Sequence, residues 1–385
     1  MNNFELYNPT RIVFGEGKIV ELNRLIPKQA KVLILFGGES ARKSGTLGEV
    51  EQALGNREIG LFGGIEANPR YETLIKAVTK IQEEGYDYLL AVGGGSVIDG
   101  TKFVAAAVNF EGDSWDILTS GGKKITSALP FGTVLTLPAT GSEMNKGSVI
   151  TREETHSKRA FQNDLVYPQF SILDPVKTFT LPPRQISNGV VDAFVHIMEQ
   201  YMTYPANAPV QDVFAEGLLR TLIDIGPKAL ANPQDYDIRA SLMWTATLAL
   251  NGLIGAGVPQ DWSTHMLGHE ITALYNLDHA QTLAIVLPAM LLEKLPQKQA
   301  KLAQYAEQVW GVRDGSEKEK ALRAIELTRE FFETMEVKTY FHDYNLNQEV
   351  IEPLIESLAK NGMTELGEHQ DITLDISRRV YIAAL

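Results

Sequence analysis

The sequence contains no cysteine. Disulfides, thiolate zinc sites, iron–sulfur clusters and cysteine nucleophiles are therefore excluded, and any metal ion must be bound by histidine, aspartate or glutamate. Histidine is also scarce, with seven residues in the chain. The positions of these few histidines consequently decide whether a metal site can be built at all.

Long apolar runs and positive charge are in short supply as well. The most apolar stretch, Leu283 to Leu292, is about half a membrane span long and contains Pro288. The N-terminus has neither the basic region nor the apolar region of a signal peptide. The formal net charge is −13, and an acidic surface repels phosphate backbones and anionic lipids. We therefore expect a cytoplasmic protein that acts on a small molecule, without nucleic-acid or membrane partners.

Residues from Lys31 to about Leu173 alternate between short apolar runs and helix-like segments. Apolar runs without polar alternation are typical of parallel strands covered on both faces, and the segments between them supply the helices of a βαβ arrangement. The predicted strands are Val32–Phe36, Tyr88–Val92, Thr133–Leu137 and Phe170–Leu173, with Thr10–Gly15 as a further edge strand. The predicted helices between them include Tyr71–Glu84 and Val97–Val108.

Beyond Pro175 the strand pattern stops, and apolar residues recur at helical intervals. The predicted helices are Arg184–Tyr201, Val210–Leu230, Ile238–Leu253, Leu302–Trp310 and Lys320–Thr334. The sequence thus predicts an α/β nucleotide-binding domain over residues 1–180 and an all-α metal-binding and catalytic domain over residues 181–385. A cleft between two such domains is a usual place for a ligand.

The segment LLAVGGGSVIDGTKF joins a strand, a glycine turn and a helix start. Gly93, Gly94 and Gly95 would let the backbone approach a ligand closely, and Ser96 is a suitable N-cap. The N–H groups of the helix start would receive a pyrophosphate. The motif is neither the GxGxxG fingerprint nor a Walker loop. A glycine turn without a ligand is the alternative interpretation.

A second glycine turn, Gly37–Gly38, follows the first buried strand. In nucleotide-binding α/β folds this turn commonly faces the adenine ribose, where an acidic residue bonds the 2′-hydroxyl of NAD and a basic residue accommodates the 2′-phosphate of NADP. Ser40, Arg42 and Lys43 favour NADP, whereas Glu39 favours NAD. A solvated, charged helix start is the alternative for Arg42 and Lys43.

Asp192 and His196 lie four residues apart in the predicted helix NGVVDAFVHIMEQY, on one face and among apolar neighbours. Burying a carboxylate beside an imidazole is costly unless a hydrogen bond or a metal ion compensates, and the hydrogen bond is the commoner case. Downstream, His265, His269 and His279 fall within a single short segment, DWSTHMLGHEITALYNLDHA. This clustering favours a metal, and an Asp–His ligand set suits zinc or ferrous iron.

Taken together, these motifs resemble those of the iron-containing (group III) alcohol dehydrogenases. NPTRIVFG, GGGSVIDGTK, LPATGSE, LDP, LPPRQ, GVVDAFVHIMEQY and HMLGHE follow the family's order along essentially the whole chain. The chain is most similar to the bacterial NADPH-dependent broad-range aldehyde reductases and butanol dehydrogenases. The resemblance implies a dehydroquinate-synthase-like fold, an α/β domain followed by an all-α domain, and a homodimer.

The resemblance also implies roles for particular residues. It implies one divalent metal ion, Fe²⁺ or Zn²⁺, on Asp192, His196, His265 and His279. It implies that His269 lies beside the nicotinamide rather than on the metal, and that His269 and Asp99 are catalytic. The implied contacts of NADP(H) are Gly37, Gly38, Ser40, Gly94, Gly95, Ser96, Asp99, Thr136, Thr140, Asn145 and Lys158.

Gly38 stands where NAD-preferring relatives carry an aspartate, which supports NADP. Two features depart from the family pattern. Glu39 replaces a glycine and weakens the preference for NADP. His279 lies in LDHA, where many members have PHG, so the loop before this ligand is expected to differ in shape.

The expected function is a metal-dependent NADP(H) alcohol dehydrogenase that acts mainly as a reductase of short- to medium-chain aldehydes. The metal would act as a Lewis acid on the carbonyl oxygen, NADPH would deliver hydride, and His269 with the cofactor ribose would pass the proton. One alternative is an NAD-dependent polyol dehydrogenase of the glycerol or diol type, or a lyase-like use of the same fold. The other is a nucleotide-binding protein without catalysis.

Overall fold

The computed structural model describes all 385 residues, and the chain divides into two compact units. The α/β unit comprises Tyr7–Leu181 and Pro233–Thr247, and the helical unit comprises Met1–Leu6, Pro182–Asn232 and Leu248–Leu385. Met1–Leu6 belongs to the helical unit although it precedes the α/β residues in the sequence. Pro233–Thr247 belongs to the α/β unit although it lies between two segments of the helical unit.

Ten strands are present: β1 Arg11–Phe14, β2 Val32–Phe36, β3 Ile59–Phe62, β4 Tyr88–Gly94, β5 Phe131–Leu137, β6 Gly147–Arg152, β7 Ser157–Gln162, β8 Phe170–Leu173, β9 Glu365–Leu366 and β10 Ile372–Thr373. The α/β unit contains a six-stranded parallel sheet in the order β1-β8-β5-β4-β2-β3. Its β6 and β7 form an antiparallel hairpin. The helical unit contains only the short antiparallel pair β9–β10.

The strands predicted from apolar runs are confirmed. β2 and β8 have the predicted limits, β4 extends to Gly94 and β5 begins at Phe131. All five residues of β2 are buried, as expected for a central parallel strand with both faces covered. The predicted edge strand is β1, which pairs with β8 alone. β3 and the β6–β7 hairpin were not predicted, because IGLF is short and SKRAFQ reads as a charged loop.

Fifteen helices complete the fold: α1 Leu22–Leu25, α2 Ser40–Lys43, α3 Thr46–Leu54, α4 Tyr71–Glu84, α5 Gly95–Ala107, α6 Asp116–Thr119, α7 Pro183–Tyr201, α8 Pro209–Ala231, α9 Tyr236–Ala249, α10 Ser263–Tyr275, α11 His279–Glu293, α12 Leu295–Val309, α13 Glu317–Thr334, α14 Ile351–Lys360 and α15 Leu374–Ala383. Helix α4 has the predicted limits. Helix α9 ends at Ala249 rather than Leu253, and α12 begins at Leu295, where a proline occupies the first turn.

Helix α11 forms the centre of the helical unit. Its residues from Ala280 to Leu291 are buried almost without exception, and it packs against α7, α10, α13 and α15. A helix that is apolar on every side must be surrounded by others. This arrangement brings α7, α10 and the start of α11 into contact with one another. No helix in the chain has the length and apolar character needed to span a membrane.

Candidate metal centre and nucleotide-binding loop

Helix α7 buries polar side chains in an apolar setting. Every residue from Gly189 to Tyr201 is buried, including the two polar groups Asp192 and His196, each 4% exposed. Unpaired burial of these groups would cost several kcal/mol (roughly 2–7 for a neutral polar group). Their position therefore requires a compensating partner inside the helical unit.

Three helices bring ligand atoms to that position. Asp192 comes from α7, His265 from α10 and His279 from the first residue of α11, and their ligand atoms all lie within 4.8 Å of one another. The Nε2 atoms of His196 and His279 each lie 3.7 Å from Oδ1 of Asp192. This separation is too long for a hydrogen bond. It is close to the roughly 3.4 Å expected between two ligands that share a tetrahedral ion with bonds of about 2.1 Å.

The other two predicted histidines are adjacent to this group. The ring of His196 stacks on the ring of His265 with 4.7 Å between centroids, which places it beside Asp192 and His265 at once. The ring of His269 lies 6.3 Å from that of His265 and 5.2 Å from that of His279, so it borders the group without belonging to it. The donor set fits a divalent ion, while the individual ligand roles stay predictions.

The electrostatics of the group also suit a metal. Burial lowers the pKa of His196 to about 4, so its imidazole is neutral at physiological pH. Neutral imidazole is the form of histidine that binds metal ions. A neutral histidine can bind an ion without first losing a proton.

Glu199 is a residue of this site that the sequence interpretation missed. It is 3% exposed, and its Oε1 accepts the N–H of Thr264 at 2.8 Å. Its Oε2 accepts the N–H of His265 at 3.1 Å and contacts Nδ1 of the same histidine. Burial, followed by the charge of Asp261, raises the pKa of Glu199 to about 8.

The contact with Glu199 leaves Nε2 of His265 as the ring nitrogen available to a ligand. Carboxylates commonly hold metal-binding histidines in this way. The available sequence signal was an acidic residue three positions after His196, on the same buried helix face. That spacing alone does not predict a role for Glu199, because nothing in the local sequence shows that α10 covers it.

The start of α11 is tied to the start of α7 by the aspartate of LDHA. Asp278 is the N-cap of α11 and forms a capping box with Gln281. Its carboxylate also accepts hydrogen bonds from Arg184 at 2.7 and 2.6 Å and from Asn188 at 2.7 Å. Asp278 therefore sets the position of the next residue, His279.

Gly268, the glycine of the HMLGHE motif, lies where α10 packs against α11. A Cβ on this residue would lie 2.9 Å from Oγ1 of Thr282 and 3.2 Å from Cδ2 of Leu283. The absence of a side chain thus lets α10 approach α11 closely. This approach is needed for His265 and His279 to reach the same ligand group.

The glycine turn of the α/β unit connects β4 to α5. Helix α5 begins at Gly95 with Gly94 as its N-cap, and no side chain caps it, so the expectation that Ser96 is the N-cap was wrong. The helix begins two residues before the expected start at Val97, and the backbone of Gly94 occupies the cap position. The first N–H groups of any helix lack partners inside the helix and can bind an anion.

Steric contacts explain the three consecutive glycines. An added Cβ would meet Cγ2 of Val97 at 2.6 Å from Gly93, Cβ of Leu137 at 2.9 Å from Gly94, and Oγ1 of Thr140 at 2.3 Å from Gly95. The turn is therefore glycine-rich because it packs against its own unit. This packing keeps side chains away from the start of α5, where the pyrophosphate is predicted.

Several predicted cofactor residues lie together beside α5. Asp99 accepts a hydrogen bond from Oγ of Ser142 at 2.5 Å and one from the N–H of Val149 at 2.9 Å, and burial raises its pKa. These bonds show a structural role, and its catalytic role stays a prediction. Thr136 lies near the end of β5, and Thr140 and Asn145 lie in the segment that follows this strand. Lys158 lies in β7 and donates to Oδ1 of Asn68 at 3.0 Å.

Lys102 is a second residue that the sequence interpretation missed. Its side chain is completely buried and donates to Oδ1 of Asn145 at 2.9 Å and to the carbonyl of Gly147 at 2.7 Å. The bond to Oδ1 determines which way the Asn145 amide points. A lysine in a predicted helix is normally read as exposed, and this position gave no other signal.

The turn after β2 is open. A Cβ on Gly38 would meet nothing within 4 Å, and the turn is followed directly by Ser40 at the start of α2. Glu39 forms an ion pair with Arg42 at 3.8 Å. The Arg42 guanidinium also lies over the Phe36 ring at 5.7 Å from its centroid. The negative charge of Glu39, which favours NAD, and the positive charge of Arg42, which favours NADP, are therefore both present beside this turn.

Comparison with known proteins identifies the class. The family model for the iron-containing alcohol dehydrogenases matches residues 9–175, and the model for the C-terminal region of the Fe-containing alcohol dehydrogenase family matches residues 186–375. The chain belongs to the iron-containing alcohol dehydrogenase family. The resemblance inferred from the motifs is thereby confirmed.

Two relatives are similar to this chain over almost its whole length. The chain is 59% identical over 386 residues to the NADPH-dependent aldehyde reductase YqhD of Escherichia coli (strain K12), with full coverage of both sequences. It is 41% identical to a probable NADH-dependent butanol dehydrogenase 1 of Bacillus subtilis (strain 168), covering 94% of this chain and 95% of the relative.

Solved structures agree on the fold. The crystal structure of E. coli K-12 YqhD has a TM-score of 0.99 and 58% identity, covering 100% of this chain and 99% of that one. The NADH-dependent butanol dehydrogenase A of Thermotoga maritima has a TM-score of 0.95 and 34% identity, with the same coverage. The fold expected from the sequence, an α/β part with a parallel sheet and a helical part, is shared with these structures.

Proposed function

We propose that this protein is a metal-dependent, NADP(H)-dependent alcohol dehydrogenase that acts mainly as a reductase of short- to medium-chain aldehydes. The observation that carries the proposal is the convergence of the buried Asp192 and His265 with the partly exposed His279. Identity of 59% to an NADPH-dependent aldehyde reductase supports the direction and the cofactor.

Asp192, His196, His265 and His279 are the proposed ligands of one divalent ion. Bound Fe²⁺ or Zn²⁺ would supply a Lewis acid that polarises the carbonyl oxygen of the substrate. Glu199 holds Nδ1 of His265 and so presents Nε2. The buried residues of α7 keep water away from the ligands, which strengthens their electrostatic effect on the substrate.

The α/β unit is proposed to bind the cofactor, which supplies the hydride when bound. Gly94, Gly95 and Ser96 would receive the pyrophosphate at the start of α5. Thr136, Thr140, Asn145 and Lys158, with Asp99, are proposed to line the rest of the cofactor. Lys102 donates a hydrogen bond to Oδ1 of Asn145, so the amide nitrogen of Asn145 points away from Lys102.

The turn of Gly37, Gly38 and Ser40 is proposed to accept the 2′-phosphate of NADP. The relatives themselves differ here, because one is named for NADPH and another for NADH. A side chain at Gly38 would meet no obstacle, so an aspartate could be accommodated by the fold. Its absence leaves room for the phosphate.

His269 is the proposed proton-transfer residue. It is 4% exposed and lies beside the ligand group, with its ring 5.2 Å from that of His279. A buried histidine next to the substrate can pass a proton at neutral pH. The cytoplasmic location and the homodimer implied by the resemblance stay predictions.

The test is turnover with defined metals. Protein depleted of metal would be supplied with Zn²⁺, Fe²⁺ or no ion, and NADPH consumption would be followed with butanal. We expect metal-dependent loss of NADPH absorbance, weaker with NADH. NAD⁺-dependent oxidation of glycerol in preference to butanal reduction would favour the polyol dehydrogenase. Tight NADPH binding without turnover under any metal would contradict the proposal and favour a non-catalytic nucleotide-binding protein.

A further inference from the structure

Lys298 of α12 is a buried cation far in sequence from every predicted ligand. It is 8% exposed. Its ammonium donates to the carbonyl of Met202 at 2.7 Å, to Oδ2 of Asp261 at 2.6 Å and to Oε2 of Glu368 at 3.2 Å. A lysine ammonium has three donors, so all of them are used inside the helical unit.

Two of these acceptors lie at the ends of metal-site helices. Met202 is the C-cap of α7, the helix that carries Asp192. Asp261 directly precedes Trp262, which is the N-cap of α10, the helix that carries His265. A single ammonium therefore connects the end of one ligand-bearing helix to the start of another.

Asp261 transmits this connection to the ligand itself. Its Oδ1 accepts the N–H of Ser263 at 3.0 Å and the Ser263 hydroxyl, and its own N–H donates to the carbonyl of Glu199 at 2.9 Å. Glu199 in turn contacts the backbone and Nδ1 of His265. Lys298, Asp261, Glu199 and His265 are thus linked in series, each to the next, by hydrogen bonds.

The backbone between Asp261 and Ser263 is strained. Trp262 has a φ of +63°, a left-handed conformation that residues other than glycine rarely adopt. Such a conformation costs about 1–3 kcal/mol and persists where surrounding contacts hold it. The bonds of Asp261 on one side of Trp262 and of Glu199 on the other supply those contacts, and the Trp262 ring lies 5.2 Å from the His265 ring.

We propose that Lys298, together with Asp261 and Glu368, positions His265 for metal binding by fixing the start of α10 against the end of α7. The inference rests on the proposed function, because it presumes that His265 is a ligand. Lys298 acts through Asp261 and Glu199 and touches no ligand itself, so it is a positioning residue.

The charges of the assembly support this role. Burial acts to lower the pKa of Lys298, but the carboxylates of Asp261 and Glu368 outweigh it and raise that pKa. The ammonium is therefore retained although it is buried. Replacing a buried ion pair by apolar residues is often neutral or stabilising, which means that stability alone does not account for charged groups at this place.

Lys294 offers a matched control. It is also buried and forms a single ion pair, with 2.7 Å between its Nζ and Oδ2 of Asp371. Neither Lys294 nor Asp371 bonds to α7 or α10 through its side chain. Replacing Lys294 by methionine therefore removes a comparable buried charge in the same unit without removing the link to His265.

The experiment is a Co²⁺ titration of metal-depleted wild type, Lys298→Met and Lys294→Met, read by the visible absorption of the bound ion, which reports its coordination geometry. We expect Lys298→Met to bind Co²⁺ about 10- to 100-fold more weakly, the range for loss of supporting contacts around a metal, with an altered spectrum. Lys294→Met should remain within about threefold of wild type. Lys298→Arg, which keeps the charge, should recover much of the affinity.

The outcomes separate the two proposals. If wild type binds no Co²⁺, the proposed metal site fails and the inference fails with it. If wild type binds Co²⁺ and Lys298→Met matches it in affinity and spectrum, the inference alone is wrong. Should Lys298→Met not fold, Asp261→Asn keeps the acceptor for Ser263 but loses the charge, and it must shift the Co²⁺ spectrum in the same way or the inference is wrong.

Discussion

The metal centre and the glycine turn are built in opposite ways. The metal centre consists of charged and polar side chains from three helices, held by further charged groups at Glu199, Asp278 and Lys298. The turn between β4 and α5 consists of backbone, and no side chain could be added to its three glycines without a collision. Removal of atoms should damage the first site, and addition of atoms should damage the second.

The two buried lysines extend this contrast. Lys298 faces two carboxylates, which raise its pKa. Lys102 bonds only to neutral oxygens, and burial lowers its pKa to about 8 despite the more distant charges of Asp99 and Glu143. The same side chain thus has a raised pKa in one unit and a lowered pKa in the other, because of the charge of its partners.

The largest effect is expected at the metal centre. His265→Ala removes a ligand and leaves Glu199 without the Nδ1 contact, so metal binding should be lost together with activity, by about 1000-fold or more, since Lewis-acid catalysis supplies several kcal/mol. Metal content measured by elemental analysis, alongside NADPH turnover, tests this. His156→Ala is the control, because His156 is exposed. A His265→Ala protein with full metal content and rate would remove His265 from the ligand set.

The titration of Lys102 should change the free energy of unfolding by about 3 kcal/mol between pH 8 and 10.5. Its pKa is about 8 when folded against 10.5 for the free side chain, so the unfolded chain binds more protons between these values and stability rises with pH. Each pKa unit corresponds to about 1.4 kcal/mol. The free energy of unfolding of wild type, relative to Lys102→Met, should therefore increase from pH 8 to 10.5 in urea titrations. A constant difference would contradict the lowered pKa.

The glycine turn should respond to a single methyl group. Gly95→Ala places a Cβ against the β-branched side chain of Thr140, and such overpacking costs about 1–3 kcal/mol. We expect NADPH affinity, measured by fluorescence titration, to fall about 10- to 100-fold while Co²⁺ affinity is unchanged. Gly48→Ala in α3, whose Cβ meets nothing, is the matched control, because Gly48 is not among the proposed cofactor residues. Equal effects of the two substitutions would show that the close packing is not what matters.

The smallest expected effect concerns cofactor choice. Gly38→Asp introduces a carboxylate where the 2′-phosphate is proposed to bind, and like charges in contact are unfavourable. The ratio of kcat/KM for NADPH over NADH should fall about tenfold, a change of about 1.4 kcal/mol. Glu39→Gln should shift the ratio in the opposite direction, because it removes the existing negative charge beside Arg42. An unchanged ratio in both variants would place the 2′-phosphate elsewhere.

The sequence by itself determined the features that depend on local periodicity. Strands β2 and β8 and helix α4 were predicted with their observed limits, since continuous apolar runs and helical spacing are properties of neighbouring residues. The four-residue spacing of Asp192 and His196 predicted that both lie on the same face of a helix. The family was equally accessible, because its motifs are short segments in a set order.

The tertiary structure alone decided which distant residues meet. Three charged residues within helices are buried, namely Glu199, Lys102 and Lys298. From the local sequence such residues are predicted to be solvent-exposed. Their burial results from packing of segments such as α10 and the loop before Glu368, which lie far away in sequence. Likewise, Ser96 suits an N-cap by residue type, but the packing of Gly94 and Gly95 starts α5 before it. Local interactions are encoded in adjacent residues, whereas the partners of a buried charge depend on how the whole unit packs.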